Sequence, residues 1–404
     1  MNILYRPKLS DGKLVRLSWP IAMFRLTHIV CWPLEDDAPR WAYFFDRFCW
    51  LLAFIIFVLT NDAELRYLRF NMQNLDELLN GVPTYLVLIE AHIRGFTLGY
   101  RKNKFKNLLR KFYSDIYVDE RQHPSLYKKI QPRFWPLYVF SSMYVATLIN
   151  FIVTPLILLL SRGSRELTFK MIPPFEYRSL PIYLPCLLSN IWIGFLVVSL
   201  FSAEPNILGL VVLHLHSRYL LMNQDLQKKT ANLLKNPSNS EIARRFRKIV
   251  VATINENERL NLFAQEIQSE FSFRIFILFS FAAMCLCAVA SKVYMNPLDS
   301  FAYIFWMFGK IQELMIIGEL GSTIIATTDK VSSVYYNSNW EFVIARSSDS
   351  SENVRLMKLL TMAIALNRKP FYLTGLNFFT VSLNTVIKIL QGAGSYFTCL
   401  ISFR

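Results

Sequence analysis

Residues 134–161, FWPLYVFSSMYVATLINFIVTPLILLLS, form a stretch of 28 residues without a charged side chain. A helix rises about 1.5 Å per residue, so this stretch is long enough to cross the roughly 30 Å hydrocarbon core of a bilayer. Uncharged stretches also occupy residues 179–203 and 275–291, and residues 371–403 contain a single charge, Lys388. These four stretches predict an all-α membrane protein.

Three further candidate spans contain charges. Residues 41–60 include Asp46 and Arg47, residues 75–100 include Glu90 and Arg94, and residues 301–328 include Lys310, Glu313 and Glu319. Buried helices of a soluble protein remain an alternative for these three, but their length and aromatic ends favour membrane spans. We therefore predict seven transmembrane helices. The predicted regions are a cytoplasmic segment 1–40, six helices within 41–328, a cytoplasmic anchor segment 329–370, and a seventh, pore-lining helix within 371–404.

The composition excludes several classes of protein. Hydrophobic residues make up 53% of the 404-residue chain and charged residues only 18%, against about 25% charged in soluble domains. The 33 Phe, 19 Tyr and 8 Trp residues exclude intrinsic disorder. The six cysteines lie mostly in apolar runs, without the spacing of a disulfide framework. No basic soluble domain is present, so the formal net charge of +15 does not indicate nucleic-acid binding.

The basic residues predict the orientation in the membrane. Of the 44 Lys and Arg residues, 31 lie in the N-terminal segment and in the alternate connections 101–133, 218–273 and 329–370. Eight lie in the remaining connections and at the C-terminus. The positive-inside rule then places the N-terminus in the cytoplasm, where these loops face anionic membrane lipid, and the C-terminus outside. G-protein-coupled receptors have the opposite orientation, which disfavours that class.

No sequence motif indicates an enzyme, a cofactor or a metal. The chain has neither a Gly-rich phosphate loop nor a Gly-x-Ser-x-Gly or His-Glu-x-x-His sequence. His214 and His216 are two residues apart, so on a helix they point in nearly opposite directions and cannot share a metal ion. We expect both to be packing residues.

The last span carries a polar stripe. With residues 374–403 treated as a helix at 100° per residue, Lys388 shares one side with Asn377, Asn384, Gln391, Ser395, Cys399, Ser402 and Phe403. Polar groups in a bilayer must face protein or water. The stripe therefore indicates either helix packing or an aqueous pathway, and one such helix encloses a pore only if several subunits each contribute one.

A cytoplasmic helical layer is predicted next to this span. Residues 352–367, ENVRLMKLLTMAIALN, have charges at the start and then an apolar face at Leu356, Leu359, Leu360, Ala363 and Leu366. Sixteen residues are fewer than the roughly 20 that a transmembrane helix needs. Residues 241–268 form a charged helical pattern that would add to the same layer.

Residues 369–400, KPFYLTGLNFFTVSLNTVIKILQGAGSYFTCL, resemble the C-terminal signature of insect odorant receptors. The matching residues are Pro370, Leu373, Thr374, Phe378, Phe379, Ser382, Leu383, Ser395, Tyr396, Phe397, Thr398 and Leu400. Tyr336 and Trp340 resemble the family's upstream Tyr-x-x-x-Trp. Asn377 and Val386 depart from the residues that are common in the family at those positions.

This resemblance implies the odorant-binding subunit of a ligand-gated, non-selective cation channel. Such subunits have seven helices with a cytoplasmic N-terminus, and they form heterotetramers with a shared olfactory co-receptor in the plasma membrane of olfactory sensory neurons. The resemblance also implies a gate at Cys399 and Phe403, with Ser402 alongside. A gustatory-type receptor channel of the sister family and a G-protein-coupled chemoreceptor remain alternatives.

The resemblance further implies a pocket among spans two to six that takes a small volatile odorant. The residues that the predicted orientation brings to this region are Tyr85, Tyr144, Thr147, Phe151, Asn190, Ile191, Gly194, Tyr303, Trp306 and Met307. Ordinary core packing is the alternative for each of them.

Overall fold

The fold is seen in a computed structural model that describes residues 3–9, 11–27, 30–235, 241–295, 297 and 300–402. Helices dominate these residues, and a two-stranded hairpin lies near the C-terminus. The helices are α1 (Trp19–Thr27), α2 (Arg40–Phe70), α3 (Leu75–Tyr100), α4 (Lys102–Lys111), α5 (Pro124–Ile130), α6 (Trp135–Arg162), α7 (Leu180–Lys235), α8 (Ile242–Met295), α9 (Phe301–Tyr336), α10 (Trp340–Arg346), α11 (Ser350–Leu366) and α12 (Leu383–Ser402).

Each of the seven predicted spans overlaps a helix, namely α2, α3, α6, α7, α8, α9 and α12. Five helical stretches of the described chain are long and apolar enough to cross a membrane, and they contain α2, α6, α7, α8 and α9. The predicted all-α, multi-pass membrane fold is confirmed. The helices α3, with 26 residues, and α12, with 20, are not among these five stretches.

The outer helices expose large apolar surfaces, whose contact with water would be energetically unfavourable. Only 17% of the most apolar part of α2 is buried, against 61% of that of α8. Phe44, Phe48 and Leu59 on α2 are among its exposed side chains. Contiguous apolar surface of this extent marks a membrane-facing side, so α2 contacts lipid while α7 and α8 form the centre of the bundle.

The helices α7 and α8 continue far beyond a membrane thickness. They contain 56 and 54 residues, which correspond to more than twice the roughly 20 residues of a membrane span. Near the start of α8, Phe246 and Val250 pack with Val343 of α10 and with Leu356 and Leu360 of α11. The helices predicted over 241–268 and 352–367 are therefore present, and they form a second apolar cluster.

The N-cap of α11 is Asp349, whose carboxylate accepts hydrogen bonds from the backbone N–H groups of Ser351 and Glu352. The bond from the Glu352 N–H is the main reason why the pKa of Asp349 lies below its usual value. Glu352 also forms an ion pair with Arg247 of α8 at 2.9 Å. The N-cap thus stabilises the start of α11, and the ion pair holds this short helix against α8.

The N-terminal segment packs against the bundle. Phe24 of α1 and Trp32 are fully buried, and the indole of Trp32 donates a hydrogen bond to the carbonyl oxygen of Tyr5 at 2.9 Å. Lys106 of α4 bonds the carbonyl oxygen of Leu34 and forms an ion pair with Asp36. The apolar residues of the N-terminal segment therefore contribute to the main core.

The last helix begins later than the sequence predicts. We expected one helix over 374–403, but this is wrong for residues 374–382, where β1 (Thr374–Gly375) pairs with β2 (Phe379–Thr380). Leu376 and Asn377 between the strands have positive φ angles, which a helix cannot contain. Asn377 is consequently not part of the polar stripe of α12.

Candidate ligand cavity and polar helix

A cavity lies between α2, α3, α6, α7 and α9, under the connection 163–179. It contains about 580 Å³ of space free of atoms, part of which opens to the outside. Its wall is almost entirely apolar. The lining residues are Glu64, Pro83, Thr84, Val87, Leu88, Thr147, Leu148, Phe151, Phe169, Gly194, Val197, Val198, Tyr303 and Trp306.

Close approach of α6 and α7 shapes one wall of the cavity. A Cβ atom on Gly194 would lie 2.8 Å from the Leu148 side chain, so glycine allows this contact. The hydroxyl of Thr147 donates to the carbonyl oxygen of Met143 in its own helix. Phe151 meets Tyr303 edge to face, with ring centroids 5.5 Å apart. Helical periodicity thus presents rings and methyl groups to the cavity.

Five of the ten residues predicted to bind the ligand line this cavity: Thr147, Phe151, Gly194, Tyr303 and Trp306. Among the other five, Tyr85 lines a shallow depression between α2 and α3. Ile191 packs against a small cluster beneath the connection 163–179. Met307 is half-buried against the main core. Tyr85, Ile191 and Met307 are therefore not brought to the cavity.

Asn190 lies beside the cavity and holds the connection that covers it. Its side-chain oxygen accepts a hydrogen bond from the backbone N–H of Phe169 at 3.3 Å. Further along the connection, the N–H of Ile172 donates to the carbonyl oxygen of Ala63 on α2 at 2.9 Å. These bonds hold the ring of Phe169 in the cavity wall, a role that no pattern in the sequence indicates.

A cluster of buried charges, which we call the ionic cluster, lies below the cavity. Arg94 of α3 pairs with Glu90 at 2.7 Å, with Glu204 of α7 at 2.6 Å and with Glu313 of α9 at 3.3 Å. Lys310 of α9 pairs with Glu90 at 2.7 Å and with Glu313 at 3.0 Å. These side chains are at most 5% exposed, so each charge depends on its partners rather than on water.

The ionic cluster extends onto α8, where Arg274 pairs with Glu204 at 2.6 Å and with Glu270 at 3.1 Å. The sequence already contained a signal for part of this cluster, because ionisable residues in a span mark functional or assembly sites. The charges at 90 and 94, and at 310 and 313, have helical spacing. Their partners lie on other helices, and helical spacing gives no information about those contacts.

Tyr144 joins the ionic cluster to the cavity. Its hydroxyl donates a hydrogen bond to Glu313 at 3.0 Å. Its ring lies 4.5 Å from that of Trp306, which lines the cavity. Tyr144, predicted as a ligand contact, thus sits one layer deeper, between the apolar wall and the buried charges.

The polar stripe of α12 lies on the exposed side of the helix in the single chain. Lys388, Gln391, Ser395, Cys399 and Ser402 are all exposed, whereas Val386 and Ala393 are buried. Phe403, the remaining predicted gate residue, lies outside the described residues. On the buried side, Gly318 of α9 allows contact, since a Cβ atom there would lie 2.7 Å from Val386.

Comparisons with known proteins identify the family. Residues 74–394 match the family described as 7tm odorant receptor. The chain is 41% identical to odorant receptor 74a of Drosophila melanogaster over 400 residues, which cover 99% of each protein. It is 37% identical to odorant receptor 35a of the same species, over 100% of this chain and 98% of the relative. This chain belongs to the 7tm odorant receptor family.

The fold of this odorant receptor agrees with that of a solved relative. The structure of the insect olfactory receptor OR5 from Machilis hrabei in complex with eugenol superimposes with a TM-score of 0.75 at 12% identity. The match covers 96% of this chain and 98% of the other. The predicted resemblance to insect odorant receptors is confirmed.

The odorant receptor has no cluster of three or more His, Cys, Asp or Glu side chains that could hold a metal ion, within the residues described. Its cysteines in this part of the chain are free thiols, of which Cys399 is exposed. The two features that set the functional hypothesis are therefore the apolar cavity and the polar stripe of α12.

Proposed function

We propose that this odorant receptor binds a small volatile molecule in the cavity and gates a cation channel lined by α12. The supporting observation is the apolar cavity between five helices, with Phe151, Tyr303 and Trp306 in its wall. Apolar walls with few polar groups suit small volatile ligands. The OR5 structure with eugenol supports a small-molecule ligand for a receptor of this fold.

The channel part of the proposal rests on α12. Its polar side chains, including Lys388, Gln391 and Ser395, are exposed in the single chain, and polar groups at membrane depth require water or protein partners. A ring of subunits around these helices provides both. We propose that an olfactory co-receptor supplies the other subunits, with Cys399, Ser402 and Phe403 at the gate.

The location follows from the same proposal. The receptor lies in the plasma membrane of an olfactory sensory neuron dendrite, with a cytoplasmic N-terminus and an extracellular C-terminus. The regions 1–40, 41–328, 329–370 and 371–404 then serve as cytoplasmic segment, odorant-binding bundle, anchor and pore segment. The distribution of basic residues, 31 against eight, supports this orientation.

Patch-clamp recording of cells that express this chain with and without the co-receptor tests the proposal. We expect odorant-evoked cation currents only with the co-receptor, and we expect them to persist when G-protein signalling is blocked. Loss of current under that block would favour the metabotropic alternative. A tag after residue 404 should be stained on unpermeabilised cells, and a tag detected only after permeabilisation would overturn the orientation.

A further inference from the structure

Glu64 is an acidic side chain in the wall of an otherwise apolar cavity. It lies on α2 and is 1% exposed. Neither of its carboxyl oxygens has a hydrogen-bond partner among the residues described. Burying a carboxyl group without a partner costs several kcal/mol in free energy, so such groups in native proteins require an explanation.

Unlike Glu64, each of the other buried acidic side chains in the described part of the chain forms an ion pair with a lysine or arginine. The pairs are Asp46 with Lys102, Glu90 with Arg94, Glu204 with Arg94, Glu270 with Arg274, Glu313 with Lys310 and Glu352 with Arg247. The chain therefore satisfies buried acids consistently, and the exception faces the cavity.

The neighbouring polar groups are engaged elsewhere. The hydroxyls of Thr84 and Thr147, also in the cavity wall, donate to the carbonyl oxygens of Gly81 and Met143. Lys292 of α8 lies 3.5 Å from the centre of the Tyr303 ring. Both carboxyl oxygens of Glu64 lack a hydrogen-bond partner among the residues described. These residues thus leave both oxygens of Glu64 available to a molecule in the cavity.

We propose that Glu64 recognises the polar head of the ligand, so that the cavity selects small apolar molecules that carry a hydrogen-bond donor. The head is a hydroxyl or an amino group, because each donates a hydrogen bond to a carboxyl oxygen, and an amino group can also take up the carboxyl proton to form an ion pair. The apolar body of the ligand lies against Phe151, Val197 and Trp306. This inference deepens the proposed function and rests on it.

The position of Glu64 explains how the head group is oriented. The preceding residue, Ala63, accepts the hydrogen bond from Ile172 in the connection 163–179. Glu64 therefore lies at the end of the cavity that this connection covers, while the ionic cluster lies beyond the opposite end, below Trp306. A ligand that binds its donor to Glu64 directs its apolar end toward Trp306 and Tyr144.

The test uses four ligands with equal numbers of non-hydrogen atoms: n-heptanol, n-heptylamine, methyl hexyl ether and n-octane. Currents are recorded from the full-length receptor with its co-receptor, and surface expression is measured alongside. We expect wild type to respond to the alcohol or the amine at concentrations about tenfold lower than to the ether or the alkane. Equal sensitivity to all four would overturn the inference.

Glu64→Met keeps the size of the side chain and removes its acceptor oxygens. We expect it to raise the half-maximal concentration for the donor ligands about tenfold, and to change that for the ether and alkane less than about threefold. Asp62→Asn is the matched control, since the Asp62 side chain is about half exposed and pairs with Arg66. A Glu64→Met effect that is equal for all four ligands, or equal for the alcohol and the ether, would overturn the inference.

Glu64→Gln keeps an acceptor oxygen but removes the charge, so it separates the two donor classes. The sensitivity ratio of amine to alcohol should fall at least about threefold, because an ammonium group benefits more from a charged acceptor. If Glu64→Met reaches the cell surface poorly, the ratio measured in Glu64→Gln is the test of the inference, and an unchanged ratio would overturn it.

A wild-type receptor that responds only to volatiles other than these four overturns the proposed ligand class alone. Silence toward every volatile overturns the proposed function and this inference together.

Discussion

Arg94 has the largest number of charged partners in the bundle among the residues described. One guanidinium contacts acids on its own helix, on α7 and on α9, at 1% exposure. Its planar fork of five donors suits several carboxylates at once, which a lysine would not match. Phe201 also lies under the guanidinium, 4.5 Å away. Arg94 is therefore the central cation of the ionic cluster.

Arg94→Met should strongly destabilise the receptor, because it leaves Glu90, Glu204 and Glu313 with fewer buried partners. Removing one member of a buried ion pair typically costs about 3–5 kcal/mol. The measurement is thermal unfolding of the purified receptor in detergent. Arg66→Met is the control, since its pair with Asp62 is about half exposed and such pairs contribute about 0–1 kcal/mol. Similar losses for both variants would contradict the role of the ionic cluster.

At the scale of residues, the sequence predicted cavity liners better than polar partners. Thr147, Phe151 and Trp306 were predicted from the family resemblance together with the predicted orientation, both of which can be read along the chain. Glu64 could not be predicted, because it falls beyond the predicted span 41–60 and its surroundings come from four other helices. Arg94 was visible as a charge in a span, but its partner Glu313 lies 219 residues away.

The hairpin before α12 is the element that fixes this helix to the bundle. Gln268 of α8 accepts a hydrogen bond from the Thr374 N–H and donates one to the Thr374 carbonyl oxygen. Ser272 accepts a bond from the Leu376 N–H at 2.9 Å. On the α9 side, Gly321 permits contact with the backbone of Val381. The start of α12 is thus held by α8 and α9 together.

Gly321→Ala should loosen this junction. An added Cβ atom would clash with the Val381 carbonyl oxygen, and the backbone must shift to relieve this contact. Overpacking of this kind costs about 1–3 kcal/mol. Thermal unfolding measures the loss, and odorant-evoked current should fall with it. In the control Gly95→Ala, the added atom meets only Leu200 at 3.7 Å, so a comparable loss there would contradict the explanation.

Among the elements, helices were predictable and the hairpin was not. Apolar runs and period 3.6 locate α6, α7, α8 and α11 directly. The hairpin depends on positive φ angles at Leu376 and Asn377, and leucine gives no local signal for that conformation. Its stability comes from Gln268 and Ser272, about a hundred residues earlier, so it is a tertiary feature.

For the whole molecule, the proposed pore is the surface of α12 that the single chain leaves exposed. Cys399→Trp should reduce single-channel conductance while surface expression stays unchanged, because a larger ring would narrow the pathway. Phe44→Trp is the control, since Phe44 is exposed on the lipid-facing helix α2. A charged thiol reagent should likewise reduce the wild-type current, and Cys399→Ser should prevent that effect. Unchanged conductance in Cys399→Trp would remove this position from the pore.

The overall organisation was largely predictable because each feature that determines it lies in one continuous segment of the sequence. Span positions follow from apolar runs, and the family follows from the segment 369–400. The packing of the N-terminal segment was missed because its buried residues, such as Phe24 and Trp32, are scattered among polar ones and prolines. Such contacts depend on the assembled bundle.

The ionic cluster also has a consequence for biosynthesis. The helix α3 leaves the ribosome with Glu90 and Arg94, long before α7, α8 and α9 supply Glu204, Arg274 and Lys310. An isolated helix with two charges at its centre inserts poorly, since each costs about 2.5–3.5 kcal/mol during translocon insertion. We therefore expect α3 to remain beside the translocon, or at the membrane surface, until α9 has been synthesised. On this expectation, the buried charges delay the release of α3 into the lipid until the chain has been synthesised through α9.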